Sequence, residues 1–206
     1  MLRLLLIRHG QTLWNAELRY QGQTDVPLNE LGRRQAEALG RRLAGETIHA
    51  VYASDLQRAV DTAAPLAGPR RLEIIKEPRL RELNFGEWEG HTFEEIRQRD
   101  PEAYQAWLRT PERFSAPGGE TGAQLRERVQ AWLEEVQAKH EEQTIAVVAH
   151  GGSLMTLLQI TLGLPSEARW KFRMAHGSFS ELHLYPDGWA VLARLNDTCH
   201  LDGLTG

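Results

Sequence analysis

Two histidines stand where a sequence could build a nucleophilic, anion-binding site. Arg8-His9-Gly10 comes directly after the apolar run 2–7, and His150 comes directly after the apolar run 145–149. Each run has the length of a buried strand, and each is followed by a segment that indicates a helix. In an open α/β sheet, side chains just beyond the carboxyl ends of neighbouring strands line one crevice. The sequence therefore predicts that the two histidines and the arginine meet in space.

A second arginine is expected in the same crevice. Arg58 lies one turn into the helix predicted after the strand 48–53. Guanidinium groups match the oxygens of a phosphate, so two arginines and two histidines together predict a phosphate site. Gly10, Gly151 and Gly152 let backbone N–H groups approach the anion, and the positive end of a following helix adds to the attraction.

A histidine in such a place has a defined chemical use. Neighbouring cations lower the pKa of an imidazole, because a second positive charge is disfavoured there. At neutral pH the uncharged ring can attack phosphorus and form a phosphohistidine. Arginines at other phosphoryl-transfer sites are worth roughly 10³–10⁵ in rate, so they can serve here in place of Mg²⁺. The sequence contains no acidic cluster with metal spacing and no Gly-rich phosphate loop, and we expect neither a metal nor another cofactor.

A departing alkoxide also needs a proton donor. The segment 81–90 mixes aromatic residues and glycines with three glutamates, Glu82, Glu87 and Glu89. A partly buried carboxyl group in such a loop is a usable general acid. Glu82 is our candidate, although composition alone hardly distinguishes the three.

The elements that must position these residues predict an α/β fold with three layers. Strands alternate with helices, which is typical of a mostly parallel central sheet with helices on both faces. Strands are predicted over 2–7, 48–53, 72–76 and 145–149, and a C-terminal antiparallel hairpin over 178–185 and 189–195. Helices are predicted over 12–18, 29–44 and 152–162. Another is predicted to begin after a cap at Ser54 or Asp55. A long helix is predicted from an apolar face that contains Leu125, Val129, Trp132, Leu133 and Val136.

The segment 77–119 interrupts this alternation. It contains several prolines, no good strand, and two short helical stretches over 93–99 and 102–108. We interpret it as a helical insertion, or lid, over the active site, in which Trp88 and Trp107 could shape an apolar substrate wall. The whole chain, 1–206, is then expected to be a single domain.

Composition limits the other classes of function. The net charge of −4 gives no support for a nucleic-acid partner, and the single cysteine excludes an internal disulfide and a thiolate zinc cluster. No stretch approaches the roughly 18 apolar residues of a membrane span. The start lacks a charged n-region and a cleavage site, so we expect a cytoplasmic protein without a membrane partner. The edge hairpin permits a homodimer.

Taken together, these segments resemble the histidine phosphatase superfamily, in the branch that contains cofactor-dependent phosphoglycerate mutases. The resemblance covers nearly the whole chain and rests on Arg8-His9-Gly10, Asn15, Gln21-Gly22, Ser54-Asp55-Leu56-Gln57-Arg58-Ala59, Glu82, Phe85-Gly86-Glu87-Trp88-Glu89-Gly90, Gly118-Gly119-Glu120 and Ala149-His150-Gly151-Gly152. It implies that His9 is the phosphorylated nucleophile and that Glu82 is the proton donor and later the base for water. It also implies a phosphate pocket of Arg8, Arg58 and His150, with Asn15, Gln21 and Gly22 near the phosphate or the leaving group.

Within that family the chain is most similar to small phosphatases, such as α-ribazole-phosphate, broad-specificity and metal-independent phosphoserine phosphatases. Its interval between Glu82 and Gly118 is shorter than in the mutases and lacks their basic, proline-containing stretch. Phosphoserine enzymes carry a histidine where this chain has Asn84-Phe85. The resemblance implies a metal-independent phosphomonoesterase for a small phosphorylated metabolite. The alternatives are a 2,3-bisphosphoglycerate-dependent phosphoglycerate mutase and a non-catalytic phosphate-binding module.

Overall fold

A computed structural model describes residues 1–204, apart from the side chains of Arg169 and Trp170. Its strands form one six-stranded sheet in the order β3-β2-β4-β1-β5-β6. The strands are β1 (Leu2–Arg8), β2 (Ala50–Ala53), β3 (Ile74–Lys76), β4 (Thr144–Ala149), β5 (Phe179–Leu184) and β6 (Ala190–Asp197). The first four run parallel, and β5 and β6 form an antiparallel hairpin at the edge. The predicted mixed sheet with its terminal hairpin is confirmed.

The central strands are apolar along their whole length because both of their faces are covered. In β1, Leu4 and Leu6 pack into the core on one face, whereas Leu5 and Ile7 pack into the core on the other. All four side chains are fully buried. The parallel register pairs Arg8 with Ala149, so the residues that follow β1 and β4 emerge side by side.

Seven α-helices lie within the described residues. They are α1 (Leu13–Ala16), α2 (Glu30–Arg42), α3 (Gln57–Ala67), α4 (Phe93–Arg99), α5 (Pro101–Arg109), α6 (Gly122–Lys139) and α7 (Gly151–Thr161). The apolar faces of α6 and α7 pack on one side of the sheet, and those of α2 and α3 pack on the other. This is the predicted three-layer arrangement. No helix in the described part of the chain is long and apolar enough to cross a membrane.

The start of α3 differs from the prediction. Neither Ser54 nor Asp55 caps it, since the N-cap position is Leu56 and has no side-chain hydrogen bond. The carboxylate of Asp55 is instead paired with Arg81, whose Nε lies 2.7 Å from Oδ1. The exposed N–H of Gln57 donates to Asp25 Oδ1 at 2.8 Å, so a loop distant in sequence supplies the cap.

The insertion has a small hydrophobic core of its own, which is built largely from aromatic side chains. Trp88, Ile96, Trp107 and Ala116 are buried together between α4, α5 and the loops beside them. The rings of Trp88 and Trp107 meet edge to face with centroids 6.0 Å apart. Because aromatic side chains bury large areas in defined geometries, this cluster fixes the insertion as a packed unit.

Candidate active site

His9 occupies the first position after β1, and its backbone environment selects one tautomer. Its Nδ1 lies 2.7 Å from the carbonyl oxygen of Gly10, which can only accept a hydrogen bond. Nδ1 therefore carries the proton of the neutral ring, and Nε2 keeps a free lone pair. Burial lowers the pKa of His9 well below its usual value, and the nearby charges of His150 and Arg58 lower it further. The ring is thus uncharged at neutral pH, with the lone pair of Nε2 available.

His150 follows β4 and has the opposite tautomer. Its Nδ1 accepts a hydrogen bond from Arg58 Nε at 3.2 Å, so the proton of the neutral ring is on Nε2. The side chain is fully buried, which lowers its pKa well below the usual value, and the charge of Arg58 adds to the effect. The ring centroids of His9 and His150 lie 5.0 Å apart. A nitrogen that can attack therefore stands beside a nitrogen that can donate.

Arg58 is held in place by the backbone of a loop. Nη1 donates to the carbonyl oxygen of Thr24 at 2.8 Å, and Nη2 donates to that of Gly22 at 2.6 Å. Only 1% of the residue is exposed, and burial lowers its pKa to about 10. The group stays charged at neutral pH and is fixed against His150.

Gln21 and Gly22 hold Arg58 in this position. With its amide oriented to satisfy both neighbours, Gln21 donates from nitrogen to Thr12 Oγ1 at 2.6 Å and accepts from Arg58 Nη1 and Nε at 2.8 Å. Gly22 has a φ of +54°, and a Cβ there would lie 1.9 Å from Glu89 Oε1. Both requirements select glycine and bring its carbonyl oxygen to the guanidinium.

Arg8 comes from the last residue of β1. Its Nη1 donates to the carbonyl oxygen of Met174 at 2.6 Å. Burial lowers its pKa, and the carboxylate of Glu82 opposes that shift. A Cβ built on Gly151 would lie 3.5 Å from Arg8 Cζ, so this glycine borders the guanidinium directly.

Glu82 connects the insertion to the first turn of α7. Its Oε2 accepts from the backbone N–H of Gly152 at 3.0 Å, and its Oε1 accepts from that of Leu83 at 2.8 Å. A Cβ on Gly152 would lie 2.1 Å from Glu82 Oε1, so the close approach depends on glycine at that position. The carboxyl group thereby reaches the side of the crevice that contains Arg8.

The structure separates the three glutamates that composition left equivalent. Glu89 accepts hydrogen bonds from the backbone of Gln23, Thr24 and Phe85, so it joins two loops and has no free oxygen for a substrate. Glu87 has a side chain that is 67% exposed, 3.7 Å from Arg99. Only Glu82 of the three lines the central cavity.

Asn15 has a local role in this structure. Its Oδ1 accepts from the backbone N–H of Thr12 at 3.1 Å, and Thr12 Oγ1 accepts from the N–H of Asn15 at 3.2 Å. This reciprocal pair is a capping box for the short helix α1. The contact of Asn15 with a ligand stays a prediction.

Sequence reasoning did not include His176 among the candidate site residues. The centroid of its ring lies 5.6 Å from that of His9. Burial lowers the pKa of His176 to about 3, with the charge of Arg8 as a further cause. The residue precedes β5, and Gly177 N donates to the carbonyl oxygen of His9 at 3.1 Å. The pairing of β5 with β1 brings His176 to His9. The local sequence around His176 does not specify that pairing, so it gave no signal for this contact.

Unpartnered buried polar atoms converge on His9. Arg8 Nε, His150 Nε2 and His176 Nε2 are buried and make no hydrogen bond to the described residues. Buried polar atoms are normally satisfied, so three of them beside one imidazole indicate a polar ligand such as an oxyanion. No group of three or more His, Cys, Asp or Glu side chains within residues 1–204 could hold a metal ion.

A cavity of about 340 Å³ opens beside these groups. Arg8, Glu82, Gly151 and Gly152 line one part of it, and apolar side chains line much of the rest. Trp107 is among the latter, as the sequence predicted, whereas Trp88 lies behind it and is only 2% exposed. The cavity has the size and the convergent polar groups of a site for a small molecule.

Comparisons with known proteins agree with this geometry. The family model "Histidine phosphatase superfamily (branch 1)" matches residues 4–198. Phosphoserine phosphatase 1 of Hydrogenobacter thermophilus is 36% identical over 201 residues, which cover 98% of this chain and 95% of that relative. A probable phosphoglycerate mutase, GpmB of Yersinia pestis, is 34% identical over 206 residues, with coverage of 98% and 96%. The crystal structure of the α-ribazole phosphatase from Shigella flexneri superposes with a TM-score of 0.87 at 32% identity, covering 95% of this chain and 96% of that one.

Proposed function

The chain belongs to branch 1 of the histidine phosphatase superfamily, and from that premise we propose that this phosphatase cleaves small phosphate monoesters in two steps through a phosphohistidine on His9. The observation that carries the proposal is the tautomer of His9. The carbonyl oxygen of Gly10 holds the proton on Nδ1 and leaves Nε2 free to attack. Fixed cations and N–H donors surround that nitrogen, so no step needs a metal ion.

In the first step, His9 Nε2 attacks phosphorus and the bond from phosphorus to the ester oxygen breaks. Protonated Glu82 gives its proton to the departing alkoxide, which leaves as the alcohol. Arg8, Arg58 and His150 Nε2–H meet the charge on the transferring oxygens. The phosphorylated ring of His9 is cationic, and Nδ1–H continues to donate to the carbonyl oxygen of Gly10.

In the second step, water attacks the phosphorus of the phosphohistidine. The carboxylate of Glu82, now without its proton, takes one from the water as the bond from phosphorus to Nε2 breaks. Inorganic phosphate leaves, His9 returns to its neutral form, and Glu82 is protonated again. The position of Glu82 supports this double role, because a backbone N–H from α7 directs one carboxylate oxygen to the same side of the cavity as Arg8.

Two of the similar proteins are named for small phosphorylated substrates, phosphoserine and α-ribazole phosphate. These names support a small phosphorylated metabolite as the substrate of this chain. The relative named as a probable phosphoglycerate mutase supports the alternative that a second alcohol, rather than water, accepts the phosphoryl group. Steady release of inorganic phosphate without a bisphosphorylated primer is expected for the hydrolase. Phosphate release that never exceeds a trace, alongside rapid primed isomerisation, would establish the mutase.

A trapping experiment tests the nucleophile. The enzyme is mixed with a ³²P-labelled monoester in EDTA, quenched in alkaline denaturant, and digested for peptide mapping. We expect label on His9 in the wild type and none in His9→Asn, with turnover reduced at least about 10⁴-fold. Label on a serine or an aspartate, or a variant that hydrolyses as fast as the wild type, would refute the proposal.

A further inference from the structure

The cavity beside Glu82 is chemically divided. Its polar part consists of Arg8, Glu82, Gly151 and Gly152, and it includes the proposed proton donor, Glu82. The remainder, apart from Arg173, is lined by side chains that are apolar or aromatic, namely Tyr20, Leu83, Phe85, Trp107, Met155, Phe172 and Met174. A leaving group that departs past Glu82 would lie against these side chains.

Three rings from that set form what we call the aromatic wall: Tyr20, Phe85 and Trp107. Their centroids are 4.7 Å apart for Tyr20 and Phe85, 5.6 Å for Tyr20 and Trp107, and 6.0 Å for Phe85 and Trp107. Buried Trp88 supports Trp107 from behind. Rings that are locked by one another in this way present a rigid surface, and flat groups pack well on such surfaces.

The other apolar side chains come from α7 and the segment that follows it. Met155 and Met174 are nearly fully buried, at 5% and 4% exposure, and Phe172 is half-buried. Methionine is flexible and polarizable, and it makes favourable contacts with aromatic rings. The cavity is therefore bounded by a rigid aromatic surface and by adaptable side chains.

The charged side chains of the described lining offer no free anionic partner to an ammonium group. They are Arg8, Glu82 and the exposed Arg173. Glu82 is the one carboxylate among them, and both of its oxygens accept backbone N–H groups. The ammonium group of an amino-acid ester would lose its water here without gaining an anionic partner, which is costly.

From this lining, and resting on the proposed function, we infer that the preferred substrates are phosphate monoesters of alcohols that carry a flat apolar group. The cavity of about 340 Å³ is at the lower end of the range for drug-sized ligands, roughly 300–1,000 Å³. A three-carbon acid would leave most of that apolar surface in contact with water. A group of one or two fused aromatic rings would cover it. The binding free energy gained in the transition state would then appear as a higher kcat/KM.

The test compares two esters whose alcohols have similar acidity, so that leaving-group chemistry does not decide between them, and a third whose alcohol, serine, is more acidic and so has no chemical disadvantage. The substrates are 2-(1-naphthyl)ethyl phosphate, ethyl phosphate and O-phosphoserine. We expect kcat/KM for the naphthylethyl ester to exceed that for each of the other two by about 10- to 100-fold. Equal values for the naphthylethyl and ethyl esters, or a higher value for phosphoserine, would overturn the inference.

Matched variants locate the effect. Phe172→Ala removes a ring that lines the cavity, and it should lower the ratio of kcat/KM for the naphthylethyl ester over the ethyl ester about tenfold. Phe93→Ala removes a ring of the same kind that is 45% exposed on α4, and both values should stay at their wild-type levels. An unchanged ratio in Phe172→Ala would show that the ring does not contact the leaving group.

The outcome is separable from that of the proposed mechanism. Label on His9 together with no preference among the esters refutes the substrate class and keeps the phosphohistidine. A preference for the naphthylethyl ester without label on His9 keeps the apolar cavity and refutes the nucleophile.

Discussion

The buried cluster around His9 and the aromatic wall of the neighbouring cavity are built in different ways. We call Arg8, His9, Arg58 and His150 the phosphate floor. Each of these side chains is oriented by a hydrogen bond, to a backbone carbonyl or, for His150, from Arg58. In the aromatic wall, the three rings pack against one another. The floor thus contains charged groups with directional bonds, and the wall presents packed rings.

This difference separates reactivity from selectivity. A hydrogen-bonded, charged site loses its function when one group changes, because the remaining groups are left buried without partners. An apolar surface tolerates exchange of one hydrophobic side chain for another at modest cost. We therefore expect substitutions in the floor to abolish phosphoryl transfer, and substitutions in the wall to change which substrate is preferred.

The first prediction concerns Glu82, which lies in the insertion but contacts α7. It asks whether Glu82 takes part in the reaction together with the floor. Glu82→Gln should lower kcat for alkyl phosphates by about 10²–10⁴-fold, since the alkoxide then leaves without a proton. The loss for p-nitrophenyl phosphate should be much smaller, because nitrophenolate is a stable anion. Steady-state kinetics on both esters check this, with the exposed Glu87→Gln as control. An equal loss on both esters would contradict the role of a general acid.

Variants of two adjacent glycines test whether the position of Glu82 matters more than that of Arg8. Gly152→Ala places a Cβ 2.1 Å from Glu82 Oε1 and must displace the carboxyl group, so kcat should fall about 100-fold. In Gly151→Ala the nearest atom, Arg8 Cζ, is at an ordinary contact distance of 3.5 Å, and the loss should be smaller. The free energy of unfolding should not fall in Gly151→Ala, because alanine favours a helix more than glycine. In Gly152→Ala the lost hydrogen bond between Glu82 and the Gly152 N–H opposes that gain. The reverse order of kcat would show that the position of Glu82 does not limit the reaction.

The last comparison concerns stability in acid, where His176, beside the floor, and the aromatic wall should respond differently. His176 has a pKa of about 3 in the folded protein and 6.5 as its ordinary value. Below about pH 6.5, His176 takes up a proton in the unfolded chain but not in the folded protein. The free energy of unfolding is therefore unaffected by this residue above pH 6.5, and it is reduced progressively as the pH falls toward 3. His176→Asn should therefore reduce the slope of unfolding free energy against pH by up to about 1.4 kcal/mol per pH unit in that window.

Urea unfolding at several values between pH 4 and pH 7 measures that slope. His9 and His150 contribute in the same direction, since the pKa of each is lowered in the folded state, so some slope should persist in the variant. Phe85→Leu in the aromatic wall should lower stability by a similar amount at every pH, because it removes no titrating group. An unchanged slope in His176→Asn would contradict a neutral imidazole at that position.

The sequence by itself was sufficient for much of the floor. Arg8, His9 and His150 lie directly beside apolar runs that could be recognised as strands, and parallel strands bring their carboxyl ends to one edge. The boundaries of α4 were also predicted as observed, because the capping residue Thr92 and the acidic first turn are local signals. Local signals and one general rule of topology were enough for these features.

The tertiary structure alone decided which glutamate faces the cavity, that Gln21 and Gly22 hold Arg58, and that His176 lies beside His9. Each of these depends on a contact between segments far apart in the chain, where the competing partners are backbone groups whose positions only the folded chain defines. Residue types therefore determined which chemistry this protein could carry, whereas packing determined which side chain performs it, because burial and hydrogen-bond partners are properties of the whole fold.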